Sequence, residues 1–163
     1  MSELILVRHG QSIWNLQNRF TGWYDVDLSD NGLSEAKKAG ELLVKKNIRI
    51  DFAYTSYLKR ANSTLKIILE NMKLENIGFT KSWEFNERHY GSLTGLNKSE
   101  MKEQLGEEKI KIYRRSWDIA PPELSEDSEF NPRNDIIYNG INEDAIPNTE
   151  SLKDTYDRVI PYF

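Results

Sequence analysis

The hydrophobic pattern along this chain changes period several times. Leu4, Ile5, Leu6 and Val7 form a short apolar run that predicts a buried strand over 3–8. Over 11–31 the period disappears. Asn15, Asn18, Gly22, Asp25, Asp30, Asn31 and Gly32 punctuate a predicted loop. Its aromatics, Trp14, Phe20, Trp23 and Tyr24, predict that the loop packs over something, because free loops do not carry such apolar area. A helical period follows at 33–46, with Ala36, Ala39, Leu42 and Leu43 on one face and Glu35, Lys38 and Lys45 on the other.

Asp51–Thr55 reads as a second strand. Ser56 then predicts an N-cap for a helix over 57–71 that turns Leu58, Ala61, Leu65, Ile68 and Leu69 inward. A third strand is predicted at 77–80. Asn97 with Glu100 predicts a capped helix stopped by Gly106, and another short helix covers 107–117. Residues 120–148 hold four of the five prolines and read as a long irregular lid or surface loop. A last helix over 149–163 sets Leu152, Tyr156, Val159 and Ile160 on one face. Strand–helix–strand–helix order predicts an α/β fold with a parallel sheet, and 163 residues predict one domain over 1–163.

Composition narrows the function. A net charge of −4, from 22 basic and 26 acidic residues, argues against a general nucleic-acid surface. An anionic ligand would need a local cluster of arginines, and Arg8, Arg60, Arg88, Arg114 and Arg115 lie in motif-like segments. No apolar stretch reaches the length of a membrane span, and the N-terminus predicts no signal peptide. The absence of cysteine excludes a disulfide scaffold and thiolate metal sites, and it fits the cytoplasm.

Candidate chemistry begins at Arg8-His9-Gly10, where a predicted strand ends at the edge of a sheet. A neutral imidazole can attack phosphorus, with Arg holding the phosphoryl oxygens. Taken alone, the tripeptide fits equally well a strand-end histidine with a local hydrogen bond. Arg60, in the first turn of a predicted helix, could add a bidentate phosphate fork or face solvent. Glu87-Arg88-His89-Tyr90-Gly91 offers Glu87 as a general acid or base, or else a salt-bridged loop. Arg114 and Arg115 are adjacent on a helix, so both need not reach one ligand.

Jointly these segments resemble a known family. They are Leu6-Val7-Arg8-His9-Gly10-Gln11-Ser12-Ile13-Trp14-Asn15 and Arg19-Phe20-Thr21-Gly22-Trp23-Tyr24-Asp25-Val26-Asp27-Leu28. Tyr54-Thr55-Ser56, Leu58-Lys59-Arg60-Ala61 and Asn86-Glu87-Arg88-His89-Tyr90-Gly91 follow, the last with Leu93, Gly95, Leu96, Asn97 and Lys98. Tyr113-Arg114-Arg115, Pro121-Pro122 and Thr149-Glu150-Ser151-Leu152 complete the set. Over essentially its whole length the chain resembles the histidine phosphatase superfamily and, within it, the cofactor-dependent phosphoglycerate mutases. Arg-His-Gly is shared by the whole superfamily, whereas Phe-Thr-Gly-Trp and Glu-Arg-His-Tyr-Gly are more specific to the mutases.

The resemblance implies a three-layer, mostly parallel sheet flanked by helices. It implies interconversion of 3-phosphoglycerate and 2-phosphoglycerate in glycolysis and gluconeogenesis, with 2,3-bisphosphoglycerate as cofactor and no metal. His9 would carry the phosphoryl group, Arg8 and Arg60 would hold it, and Glu87 would move the proton. Gly10, Gln11, Ser12, Asn15, Thr21, Gly22, Arg88, His89, Tyr90, Lys98, Arg114 and Arg115 would complete the substrate site. The implied partners are small phosphoglycerates, with no nucleic acid and no membrane, and a homo-oligomer is allowed. Family members continue beyond the segment Val159-Ile160-Pro161-Tyr162-Phe163, with a strand ending in a second His-Gly-Asn that this sequence lacks. The expectation is therefore a C-terminally truncated member with little turnover by itself. Two rival readings are a histidine phosphatase of small phosphorylated metabolites and a non-catalytic remnant that binds phosphoglycerates.

Overall fold

In the computed structural model, which describes residues 3–162, a short helix α1 (Ile13–Leu16) and a long helix α2 (Asp30–Lys45) precede strand β1 (Ala53–Thr55). Helix α3 (Lys59–Met72) and strand β2 (Phe79–Lys81) follow, then α4 (Lys98–Leu105), α5 (Glu107–Arg115) and α6 (Leu152–Val159). Strand β1 pairs with β2 in parallel, with Ala53 opposite Phe79, so β1–α3–β2 is a βαβ unit. The fold is mixed α/β, with a small parallel sheet flanked by helices.

Several elements start where the sequence places them. The Asn97 side chain accepts from the Ser99 and Glu100 N–H groups, and Gly106 ends α4 at φ +87°. Ser151 opens α6 in a capping box with Asp154. Segment 120–148 is irregular, with three short 3-10 turns. Its Tyr138 ring stacks on Trp23 at 5.2 Å, and its Phe130 packs edge-on against Trp14 and Tyr24. The aromatics of the early loop are thus covered, as expected; Phe20 and Trp23 are buried outright.

Four expectations are corrected. Residues 3–8 form no strand, because no neighbour among the described residues hydrogen-bonds to them as a ladder, and Leu4, Leu6 and Val7 are exposed. The sheet among the described residues is consequently two-stranded, while its parallel pairing and flanking helices agree with the expected α/β class. Helix α3 starts after Leu58, not Ser56, and its free Lys59 N–H is capped from a distance by Asp25 Oδ1 at 2.7 Å. Leu42 faces solvent; α2 instead buries Gly32, Ala36 and Gly40 and packs on α3 at Gly40, where a Cβ would lie 2.8 Å from that of Asn71. On α6 the apolar positions Leu152, Tyr156 and Ile160 are exposed. Phe163, the end of the predicted last helix, lies outside the described residues.

Candidate active site

Close backbone packing fixes the segment that carries His9. A Cβ at Gly10 would lie 2.2 Å from the Gly32 carbonyl oxygen, and one at Gly32 would lie 2.0 Å from that of Gln11. Only glycine permits this approach between the His9 loop and the start of α2. The Gly10 N–H donates to Thr64 Oγ1 at 3.1 Å, and that hydroxyl donates to the Arg60 carbonyl at 2.8 Å. Ser29 donates from its backbone and its hydroxyl to the Gln11 carbonyl. These bonds tie the His9 loop to both α2 and α3.

His9 is half-buried, and its Nδ1 lies 2.6 Å from the Gly10 carbonyl oxygen. A carbonyl can only accept, so Nδ1 carries the proton and Nε2 keeps its lone pair. Burial lowers the His9 pKa below the usual histidine value, and the Arg60 and Arg8 charges lower it further against the opposing Gly10 carbonyl and Glu87. The imidazole is therefore a neutral base with one free nitrogen at neutral pH.

Arg60, 1% exposed in the first turn of α3, is the central cation. Its Nη2 donates to the Gly22 carbonyl at 2.7 Å and its Nη1 to the Tyr24 carbonyl at 3.1 Å. The same Nη2 meets Glu87 Oε2 at 3.0 Å. Loop 22–25 is thus fastened to the start of α3 by Arg60 and by the Asp25 cap.

A second group of cations lies beside Glu87. Arg88 is buried, donates to the Arg114 carbonyl at 3.0 Å and sits 4.9 Å over the Tyr90 ring. Burial raises the Tyr90 pKa, and the Glu87 charge adds to it. Burial also lowers the Lys98 pKa; Arg114 and Arg8 lower it further and Glu87 opposes, so all four charges share one field. Gly22, at φ +61°, packs against the Arg88 carbonyl and Tyr90 N–H, which brings Thr21 alongside. Thr21 Oγ1, Arg88 Nη1 and Arg114 Nε are buried atoms with no hydrogen-bond partner. Buried donors are almost always satisfied, so three unpaired ones near a cationic cluster are suited to an anion.

The structure therefore brings together Arg8, His9, Gly10, Thr21, Gly22, Arg60, Glu87, Arg88, Tyr90, Lys98 and Arg114. Other expected site residues are placed differently. Ser12 is fully buried and caps α1 with Asn15, whose Oδ1 accepts the Ser12 N–H. Gln11 is held by Ser29 and Glu35. Arg115 points into solvent on α5 while its neighbour Arg114 is half-buried, as adjacent helix positions require. His89 is 1% exposed, with Nδ1 accepting the Gly91 N–H at 2.9 Å and its ring beside Trp23, so it is placed in the interior and not on the ligand face.

Burial pushes the His89 pKa down to about 4, with help from Arg133 and Arg158. Since the folded form then binds its proton less readily than the unfolded one, stability is complete above the usual histidine value and is lost as pH falls towards 4. The loss amounts to about 3 kcal/mol in all. Urea denaturation at pH 7 and at pH 4.5 checks this against His89→Gln, in which that part of the pH dependence disappears.

Sequence reading missed Thr64, Asp25, Glu150 and Arg158. Thr64 had a local signal, since it lies one helical turn after Arg60 on the same face. The others act across dozens of residues and leave no short-range pattern. Among the described residues no group of three or more His, Cys, Asp or Glu side chains could hold a metal ion, and no helix is long and apolar enough to cross a membrane.

Comparison with known proteins places these residues in a family. Residues 4–143 match the histidine phosphatase superfamily (branch 1). Over all 163 residues the chain is 54% identical to a 2,3-bisphosphoglycerate-dependent phosphoglycerate mutase of Parabacteroides distasonis, of which it covers 66%. It is 52% identical to the protein of the same name from Elusimicrobium minutum, again over 66% of that protein. The chain thus spans about two thirds of the length of these relatives. Among solved structures, a mycobacterial glucosyl-3-phosphoglycerate phosphatase superimposes with a TM-score of 0.69 at 22% identity, over 94% of this chain and 59% of that one. A phosphoglycerate mutase from Bacillus anthracis gives 0.58 at 25% identity, over 66% of this chain and 49% of that one. With the Arg-His-Gly turn, the Arg60–Glu87 pair and the profile match in agreement, the chain belongs to the histidine phosphatase superfamily, branch 1.

Proposed function

We propose that residues 1–163 act as one phosphoglycerate mutase-like domain that interconverts 3-phosphoglycerate and 2-phosphoglycerate through a phosphohistidine at His9. The observation that carries this reading is one cluster that joins a free imidazole nitrogen, a carboxylate and buried donors without partners. The cofactor would be 2,3-bisphosphoglycerate, whose charges match the unpaired Thr21, Arg88 and Arg114 donors. When bound, it supplies the phosphoryl group that primes His9. The identity to mutases over the whole chain supports the same substrates. A cytoplasmic location fits reactants of this kind.

In this reading His9 Nε2 attacks phosphorus, and the N–P bond forms as the P–O bond to the leaving hydroxyl breaks. Glu87 gives a proton to that oxygen and takes one from the hydroxyl that attacks in the return step. Arg8 and Arg60 hold the oxygens of the transferring group, where charge is spread in the transition state. Arg88, Lys98 and Arg114 hold the carboxylate and the second phosphate, so the reacting hydroxyl stays beside His9.

Phosphorus NMR of the protein with 3-phosphoglycerate and a trace of 2,3-bisphosphoglycerate tests this reading. Growth of the 2-phosphoglycerate signal supports a mutase. Inorganic phosphate without isomerisation would identify a phosphatase, and ligand-induced thermal stabilisation without turnover would identify a binding protein.

The lowered His9 pKa also predicts a pH dependence. Because the His9 pKa lies below the usual histidine value of 6.5, the acid limb of single-turnover transfer should have its midpoint below pH 6.5. A rate–pH profile whose acid limb already lies at or above pH 6.5 would contradict the burial and arginine effects on His9.

A further inference from the structure

We infer that Arg158 is a positioning residue for Glu87, clamping with Glu150 the backbone of the 84–89 turn from which the Glu87 side chain reaches Arg60. The inference rests on the reading of Glu87 as the group that moves the proton. Three carbonyl oxygens of that turn converge on one guanidinium. Arg158 Nη1 donates to Glu84 O at 2.5 Å, and Nη2 donates to Asn86 O at 2.9 Å and Glu87 O at 3.2 Å. The other edge of the guanidinium meets Glu150, with Nε to Oε1 at 2.5 Å and Nη2 to Oε2 at 3.0 Å. Glu150 Oε2 also accepts the His89 N–H at 2.7 Å, and the Glu150 N–H donates to the His89 carbonyl.

The chemistry of arginine explains why this position takes it. A planar fork can serve acceptors along two edges at once, whereas an ammonium is a single point with three rotatable donors. The pair is nearly closed to water, with side chains 10% and 3% exposed, so neither partner can be replaced by solvent. Helix α6 has no fully buried residue of its own; its Leu152 and Tyr156 are exposed and its Val159 is half-buried. Arg158 is therefore the main polar attachment of α6 to the turn that carries Glu87. Asn86 reinforces the turn from the other side, accepting the Tyr57 N–H and donating to the Tyr138 hydroxyl.

Glu87 touches Arg60 through its side chain and Arg158 only through its carbonyl. Loss of the clamp should therefore move the Glu87 carboxylate without removing any ligand contact. A displacement of about 1 Å at a group that takes part in the chemistry slows a reaction on the order of a hundredfold.

The experiment compares wild type with Arg158→Lys, Glu150→Gln and Glu87→Gln. It reads two quantities: the titration of His9 by proton NMR, and the saturation curve of single-turnover phosphoryl transfer from 2,3-bisphosphoglycerate. The His9 signal is assigned by its absence from His9→Ala. The groups that act on the His9 charge are Arg60, Glu87 and Arg8, with the Gly10 carbonyl. Glu87 raises the His9 pKa, so its removal lowers the midpoint. Arg158→Lys should shift the midpoint in the same direction and, combined with Glu87→Gln, add nothing further.

Transfer in Arg158→Lys should slow about a hundredfold at saturation while the half-saturating concentration changes little. If Arg158→Lys does not fold, Glu150→Gln, which keeps the shape and removes one charge, should show the same pattern more weakly. An unchanged His9 midpoint in a folded Arg158→Lys, beside a shifted one in Glu87→Gln, overturns the clamp. An unshifted midpoint in Glu87→Gln overturns it as well, because Glu87 is then not beside His9. Shifted midpoints in a protein that never accepts a phosphoryl group leave the clamp standing and reject the transfer reading instead.

Discussion

His9→Ala should accept no phosphoryl group from 2,3-bisphosphoglycerate in a rapid-quench experiment, while still binding it. The imidazole supplies the only bond-forming atom of the proposed transfer, so its removal takes away the covalent route altogether. The loss should exceed that of any single arginine variant. Binding should survive, because Arg60, Arg88, Lys98 and Arg114 and the unpaired Thr21 hydroxyl are untouched. The fold should survive as well. The His9 side chain makes one hydrogen bond, to the carbonyl of the next residue, while the loop is held by the Gly10 N–H and the Gln11 backbone. Isothermal titration of 2,3-bisphosphoglycerate into the variant checks the second half of the expectation. Residual transfer in His9→Ala would mean that another group is the acceptor.

Arg60→Met is expected to damage both chemistry and fold. The methionine fills much of the same space but leaves the Gly22 and Tyr24 carbonyls without donors. Leaving buried acceptors unsatisfied costs about 3 kcal/mol for the two together. Glu87 also loses its ion pair and the orientation it provides. A cation that stabilises phosphoryl transfer directly accounts for about 10³-fold in rate, so transfer should fall by at least that much. Arg60→Lys should recover the charge but not the two-carbonyl fork, giving intermediate transfer and incomplete stability. Urea denaturation and single-turnover transfer on the same preparations separate the two effects. If Arg60→Met transfers within tenfold of wild type, Arg60 is holding the loop and not the phosphoryl group.

The parts of this protein that could be read from sequence are those set by near neighbours. The Asn97 cap and the Gly106 stop sit within a few residues of the helix they bound, and the parallel pairing of β1 with β2 follows from one intervening helix. Residues 3–8 show the limit of that logic. Their apolar run satisfies a strand pattern, but a strand also needs a partner, and nothing local reveals whether one is present. Helix α6 misleads in the opposite way. Its apolar stripe suggested the buried face, whereas the chain docks through Arg158 instead.

The candidate site shows the same division. Arg8, His9, Arg60 and Glu87 could be picked out by residue type and motif, and the structure brings them together. His89 lay within one of the two more specific motifs yet sits in the interior as a buried acceptor, since a motif records which residues co-occur and not which way each one faces. Asp25, which caps α3 from 34 residues away, could be found only in three dimensions, and so could the bond by which Thr64 holds the His9 loop.

The measurement that tests the central claim most directly is the intact mass of the protein before and after brief exposure to 2,3-bisphosphoglycerate. The account predicts a gain of one acid-labile phosphoryl group in wild type and none in His9→Ala. An unchanged mass on a folded sample that binds the ligand would contradict it, and would show that the cluster around His9 holds phosphoglycerates without taking their phosphate.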